Sequence, residues 1–236
     1  MEIIMVDLPS QPLAELDLRF ERIALETGSS TYQIPGTSIR EKLFQCLADD
    51  ICRGHLGLAY EMHIRAALSY EVPIEDIVAL IRFMGPFAGY PASADALARA
   101  VEAASVLGLA DHDPHADHAG TGPLPELPPP DGPAPRETSA DDWLAGFVES
   151  RTGRAWQEDR LSPRERCLLL LTADVAQQVA PEALRRDVQL ALSCGVPSDD
   201  IRDALRFTAE FGIDRADVAL RAFHAMDLAD LGAGGA

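Results

Sequence analysis

The sequence predicts an all-α protein built from two related helical units that a Pro-rich segment joins. Three observations support this fold class. Apolar residues recur at spacings of three and four, runs of β-branched residues with alternating polarity are lacking, and the chain repeats itself at an offset of 124 residues. A repeat this long indicates two copies of one unit and not a solenoid of short repeats.

The repeat aligns residues 38–87 with residues 162–211 without a gap, and 16 of the 50 aligned positions are identical. The segment SIREKLFQCLADDI meets SPRERCLLLLTADV, and ALSYEVPIEDI meets ALSCGVPSDDI. We interpret the repeat as a tandem duplication. The predicted organisation is a first unit over residues 1–110, a linker over residues 111–138 and a second unit over residues 139–236.

Each unit is predicted to contain a leading helix followed by four more helices. In the first unit, Leu43, Leu47 and Ile51 mark one face of a helix, and Ser38 with Glu41 forms a capping box at its start. The second unit repeats this pattern. Besides the helices that open at Ser38 and Ser162, the predicted helices cover residues 13–26, 58–70, 74–83, 91–107, 140–150, 182–194, 198–211 and 215–228.

The linker has an unusual composition. Eight of the 17 Pro residues lie between Pro114 and Pro135, together with several Gly residues. Pro removes backbone donors and Gly adds conformational entropy, so we predict an extended segment without helix or strand. His112, His115 and His118 lie here, and we interpret them as solvated linker residues. The sequence therefore predicts no metal site.

Charge and cysteine content limit the function classes. With 20 Lys and Arg against 38 Asp and Glu, the formal net charge is −18. Binding to nucleic acid or to an anionic membrane surface needs a basic face, so neither partner is expected. The apolar runs are too short to span a bilayer. Four Cys in a chain of this length indicate reduced thiols, and we expect a cytoplasmic protein.

Residues 60–97 contain the most informative motif, YEMHIRAALSYEVPIEDIVALIRFMGPFAGYPASADAL. A His on a helix is followed by R-A-A, a V-P turn, an acidic helix start and A-G-Y-P-A. This combination resembles the carboxymuconolactone decarboxylase family, which shares its fold with alkylhydroperoxidase D. The upstream SIREK element and GRAWQEDRLSPRER in the second unit also fit the family pattern. The resemblance covers roughly residues 20–105 and 143–230.

The resemblance implies an active site in the first unit and no metal or organic cofactor. His63 would be the catalytic acid or base, with Tyr60 as a donor beside it. The residues expected to bind a small-molecule substrate are Tyr90, Phe83, Met84, Phe87 and Cys46. Single-copy members of the family resemble assemblies of six units, so a fused pair is expected to form a homotrimer.

Two alternatives remain open from the residues alone. His63 also fits a packing role in which its ring donates to a carbonyl, and the protein would then be a non-catalytic oligomer that holds a ligand. A thiol peroxidase of this fold needs C-x-x-C before the His, but these slots hold Leu56 and Ala59. In the second unit they hold Ala180 and Ala183.

The second unit departs from the pattern at the His itself, because Asp187 aligns with His63. We therefore interpret the second unit as a degenerate copy. The expected function is cofactor-independent, decarboxylase-like acid/base chemistry on a small cyclic acid, lactone or ketone. The same residues would also suit isomerisation, cyclisation or dehydration, so the reaction within this class stays open.

Overall fold

The computed structural model describes residues 12–108, 112–113 and 141–227, and every regular element in these ranges is helical. This confirms the all-α prediction. No helix in the described ranges is long and apolar enough to cross a membrane. Most of the predicted linker, including His115 and His118, lies outside the described residues. The helices are α1 (Pro12–Leu16), α2 (Leu18–Tyr32), α3 (Ile39–Arg53), α4 (Leu58–Ser69), α5 (Ile74–Ala88), α6 (Tyr90–Leu107), α7 (Asp142–Trp156), α8 (Pro163–Gln177), α9 (Pro181–Ser193), α10 (Ser198–Phe207) and α11 (Ile213–His224).

The helix order of the first unit recurs in the second. Adding 124 to the bounds of α2 and α3 gives the bounds of α7 and α8, and the later helices agree within a few residues. Both central helices begin in the same way. The Ser38 side chain accepts from Glu41 N, and the Ser162 side chain accepts from Glu165 N. The carboxylate of each Glu in turn accepts from the backbone N–H of its cap residue.

Four elements differ clearly from the sequence prediction, one of them α7, which runs to Trp156 and not only to Ser150. The leading segment of the first unit forms two helices, because Asp17 caps a new helix at Leu18. Helix α5 runs through Pro86 to Ala88, although Pro86 has no N–H to donate to the carbonyl of Arg82. Helix α10 instead ends at Phe207, and a 3₁₀ turn covers Thr208–Glu210.

Helices α3 and α8 pack against each other at the centre of the molecule. Arg40 Nε donates to Glu165 Oε1 at 2.6 Å, and Arg164 Nε donates to Glu41 Oε1 at the same distance. Each guanidinium also reaches an Asp of its own unit at 2.7 Å, namely Asp76 or Asp200. Because each contact has a counterpart 124 residues away, the two units meet with approximate two-fold symmetry, as in an isologous dimer.

The leading helices cross between the units. Helix α2 packs against α10, and α7 packs against α5. The rings of Tyr32 and Phe207 lie 5.3 Å apart, and the equivalent pair, Trp156 and Phe83, lies 6.0 Å apart. One hydrophobic core contains side chains of both units. The first and second units are therefore interlocked rather than separated by their linker.

Candidate active site

His63 and Asp50 form the centre of the candidate site. Helix α3 ends at Gly54, whose left-handed backbone (φ 68°) lets the chain reverse into α4. Helix α4 then packs along α3. His63 Nδ1 lies 2.6 Å from Asp50 Oδ2, and because a carboxylate only accepts, Nδ1 carries the hydrogen. Asp50 is buried, whereas the His63 side chain keeps 25% of its surface exposed.

Cys46 is the second partner of His63. It lies one helical turn before Asp50 on α3, so both side chains point toward α4. The imidazole also interacts electrostatically with the Cys46 side chain. On the other side, Tyr32 of α2 brings its hydroxyl 3.4 Å from the Cys46 sulfur. Burial raises the pKa of Tyr32, and Cys46 and Glu210 raise it further. The phenol is therefore a neutral hydrogen-bonding group at every physiological pH.

The second unit supplies a carboxylate to this cluster. Glu210, at the end of the 3₁₀ turn, accepts a hydrogen bond from the Thr31 hydroxyl of α2. Burial raises the pKa of Glu210, while Thr31 and the nearby charge of His63 lower it in part. Arg53 Nη1 donates to Phe211 O at 2.7 Å and fixes the next residue of the second unit against α3. The site is thus assembled from both units.

The electrostatics of the cluster favour a charged imidazole. Burial alone would lower the pKa of His63, but its interactions with Cys46 and Asp50 raise this pKa well above the ordinary value of 6.5. This direction favours the charged form of His63, whose Nδ1–H binds Asp50. In a chain with a net charge of −18, the ring offers a positive centre to an anionic ligand.

Asp49, Asp50 and His55 could bring three metal-binding atoms within 4.8 Å of one another. Both carboxylates already have cationic partners, however. Arg53 Nη1 lies 3.3 Å from Asp49 Oδ2, and His63 holds Asp50. Burial raises the pKa of Asp49 to about 6, against the opposing charge of Arg53. These contacts explain the acidic pair without a metal ion.

Tyr60, predicted as a donor beside His63, has a different contact. It is 1% exposed, and its hydroxyl donates to Ala96 O at 3.0 Å. Burial raises its pKa, with a smaller contribution from Asp50. This bond ties α4 to α6, so the geometry assigns Tyr60 to packing between helices.

The residues predicted to bind substrate divide into two groups. Cys46 belongs to the His63 cluster. Phe83 and Met84 are fully buried, and the Phe83 ring packs against Phe87 and Trp156. Tyr90 is 54% exposed at the start of α6, with its ring over Gly85. The aromatic contacts of Phe83 and Phe87 thus join α5 to α7 and lie within the core rather than around the imidazole.

Sequence reasoning missed four members of the cluster: Thr31, Tyr32, Asp50 and Glu210. Asp50 had a detectable signal, because a carboxylate recurs at both copies of this position, Asp50 and Asp174. The others come from distant segments that only the crossing of α2 between the units brings together.

Comparison with known protein families identifies the second unit. The carboxymuconolactone decarboxylase family model matches residues 141–225. This match spans α7 to α11 and ends next to His224.

Residues 141–225 belong to the carboxymuconolactone decarboxylase family. The family assignment predicted from the sequence is thereby confirmed, and with it the all-α fold class. No curated protein matches the chain. The match falls on the unit in which Asp187, only 2% exposed, occupies the position equivalent to His63. The match therefore covers Glu210 of the cluster, whereas His63, Asp50 and Cys46 lie in the first unit.

Proposed function

We propose that the protein is an acid/base enzyme of the decarboxylase-like type that acts on a small cyclic acid, lactone or ketone. The observation that carries this proposal is the His63–Asp50 pair, a partly exposed imidazole held by a buried carboxylate at 2.6 Å. Family membership of the second unit supports the reaction class.

Each residue of the pair has a definite role in this proposal. Asp50 fixes the ring orientation through Nδ1 and stabilises the imidazolium. Nε2–H then donates to the carboxylate or developing enolate of the substrate, and it returns a proton to carbon after the leaving group departs. Glu210 is a second, weaker acid at the border of the site. These groups supply the hydrogen-bond donor and the acid that loss of CO₂ next to a carbonyl uses.

A second candidate function rests on the contact between His63 and Cys46. In a catalytic triad of this kind the cysteine is the nucleophile and the histidine is the base. The aspartate holds the histidine ring in the required orientation. Such a triad would open a lactone or ester by attack of the Cys46 sulfur on the carbonyl carbon, giving a thioester that water hydrolyses. The burial of Cys46 (1% exposed) favours the acid/base function over this one.

The experiment is a turnover screen with β-keto acids and lactone acids, followed by NMR for products and by a coupled assay for released CO₂. His63→Gln should lower kcat at least a hundredfold, because the ionisable proton donor is lost while the size of the side chain is largely kept. Cys46→Ala should keep most of the activity under the acid/base proposal and should abolish it under the nucleophile proposal.

Asp187→Asn is the matched control, because it changes the equivalent position in the second unit. It should leave kcat within a factor of about two. Full activity of a folded His63→Gln variant would exclude both catalytic proposals. Binding of these compounds without turnover by the wild type would favour the non-catalytic ligand-binding alternative.

A further inference from the structure

The last residues of the two central helices each reach across to the opposite unit. Arg53 ends α3, and its Nη1 donates to Phe211 O at 2.7 Å. Gln177, at the position equivalent to Arg53, ends α8, and its Nε2 donates to Phe87 O at the same distance. Because Phe87 and Phe211 also occupy equivalent positions, the two bonds correspond under the approximate two-fold symmetry. One donor is a guanidinium, however, and the other is an amide.

The segments that these two bonds hold are different. Phe87 follows Pro86 within the continuous helix α5. Phe211 instead follows Glu210, the last residue of the 3₁₀ turn after α10. The residue next to the anchored carbonyl is therefore a carboxylate in the second unit and a proline in the first. Of these two bonds, only the one from Arg53 lies next to an ionisable side chain.

The Glu210 carboxylate contacts a helix that forms one side of the candidate site. Its Oε2 accepts a hydrogen bond from the Thr31 hydroxyl of α2. The next residue of α2, Tyr32, places its hydroxyl 3.4 Å from the Cys46 sulfur. The charge of Glu210 also interacts with the imidazole of His63. The 3₁₀ turn of the second unit thus brings a negative charge to the His63 cluster.

Arg53 is anchored on its own helix as well. The same Nη1 lies 3.3 Å from Asp49 Oδ2, one helical turn back on α3, and only 5% of the Asp49 side chain is exposed. Asp50, which holds His63, is the next residue after Asp49. The guanidinium therefore connects the 3₁₀ turn of the second unit with the part of α3 that carries the site.

We propose that Arg53 is a positioning residue that keeps the Glu210 carboxylate of the second unit beside the His63 imidazole. It acts through the backbone, because its bond to Phe211 O fixes the end of the 3₁₀ turn and the turn directs the carboxylate. Without this bond, the imidazole loses a stabilising negative charge. The inference rests on the proposed function, since it describes how the second unit adjusts the group that serves as the acid there.

The sign of the effect separates this role from a direct effect of the guanidinium charge. The charged or titratable groups at His63 are Asp50 and Cys46 of α3 and Glu210 of the 3₁₀ turn. Removal of the Arg53 charge by itself can only raise the pKa of the imidazole, because a nearby cation disfavours its charged form. Loss of the bond to the turn moves Glu210 away and lowers the same pKa.

The experiment compares two variants of the full chain that both lack the guanidinium charge. Arg53→Gln should keep the bond to the turn, because Gln177 makes the equivalent bond in the second unit. Arg53→Met keeps a side chain of similar length without a donor. NMR titration should give a pKa of His63 that is about half a unit lower in Arg53→Met than in Arg53→Gln. In the Glu210→Gln background this difference should disappear, because the bond then positions no charge.

Gln177→Met is the matched control. It removes the equivalent bond, but Pro86 occupies the position that corresponds to Glu210, so the pKa of His63 should stay at the wild-type value. Equal pKa values in Arg53→Met and Arg53→Gln, or a difference that persists in the Glu210→Gln background, would overturn the proposal. If Arg53→Met did not fold, a pKa in Arg53→Gln below the wild-type value would contradict it, and a pKa at or above that value would support it.

Activity is a separate readout. Under the proposed function, Arg53→Met should move the alkaline limit of kcat to lower pH together with the pKa of His63, whereas Arg53→Gln should not. A shifted pKa in a protein that turns over none of the screened compounds would support the positioning role and count against the proposed function. An unshifted pKa in an active enzyme would do the reverse.

Discussion

His63 Nδ1 lies 2.6 Å from Asp50 Oδ2, so an imidazole on α4 is held by a carboxylate that α3 buries. The contact determines the charge of the ring. Because the pKa of His63 is raised in the folded protein, the pair stabilises the fold fully below pH 6.5. This stabilisation is lost as the pH rises through the folded-state pKa.

Asp50→Asn should lower the pKa of His63 by one unit or more, because the ring loses its anionic partner. A titration of the imidazole by NMR measures this pKa directly. The control is Asp174→Asn, which makes the same change at the equivalent buried position of α8. An unchanged titration in Asp50→Asn would show that the pair does not set the charge of His63.

Glu210→Gln should lower the pKa of His63 by less than Asp50→Asn does. Glu210 interacts with the imidazole through its charge, whereas Asp50 also accepts a hydrogen bond from it. The same NMR titration applies, with the exposed Glu182→Gln as the control in the second unit. If the Glu210 variant titrated like the wild type, the second unit would contribute no charge to the site.

Tyr60→Phe tests the packing role of this residue. The hydroxyl donates to Ala96 O in the core, so its removal should cost about 1 kcal/mol in the free energy of unfolding and leave kcat unchanged. Urea unfolding and the turnover assay measure the two effects, with the exposed Tyr90→Phe as the comparison. A large fall in kcat with an unchanged free energy of unfolding would show that Tyr60 has a catalytic role.

The reciprocal ion pairs between the units predict a symmetric energetic result. Double-mutant cycles on Arg40→Gln with Glu165→Gln, and on Arg164→Gln with Glu41→Gln, should each give a coupling of about 1 kcal/mol. Gln at either Glu position keeps the capping interaction, so the cycle isolates the ion pair.

The free energies come from urea unfolding, and the exposed pair of Arg221 and Asp217 should show no measurable coupling. Two cycles that differed by more than their errors would contradict the two-fold arrangement of the units.

We propose that the chain assembles as a homotrimer through its leading helices. Phe20 and Ile23 on α2 are more than half exposed, and the equivalent Leu144 and Phe147 on α7 are also exposed. Light scattering should give three times the 25.5 kDa chain mass. Phe147→Glu should reduce this mass, because a carboxylate in an apolar contact is costly. A wild-type mass of one chain would exclude the trimer.

The internal identities acquire a physical meaning in the structure. Ser38, Arg40, Glu41 and Asp76 all recur at the offset of 124 residues. They form the capping boxes and the ion pairs at the boundary between α3 and α8. These four shared positions thus lie where the halves meet, whereas His63 of the candidate site is replaced by Asp187 in the second half.

The sequence by itself determined the helices, the repeat, the family and the choice of His63, because periodicity, caps and motifs are local properties of the chain. Only the tertiary structure decided which groups surround that imidazole. Tyr32 reaches Cys46 and Thr31 reaches Glu210 because α2 packs against the second unit. Glu210 interacts with the imidazole from the 3₁₀ turn that follows α10. Contacts between residues far apart in the chain depend on how helices pack, and no local pattern records that packing.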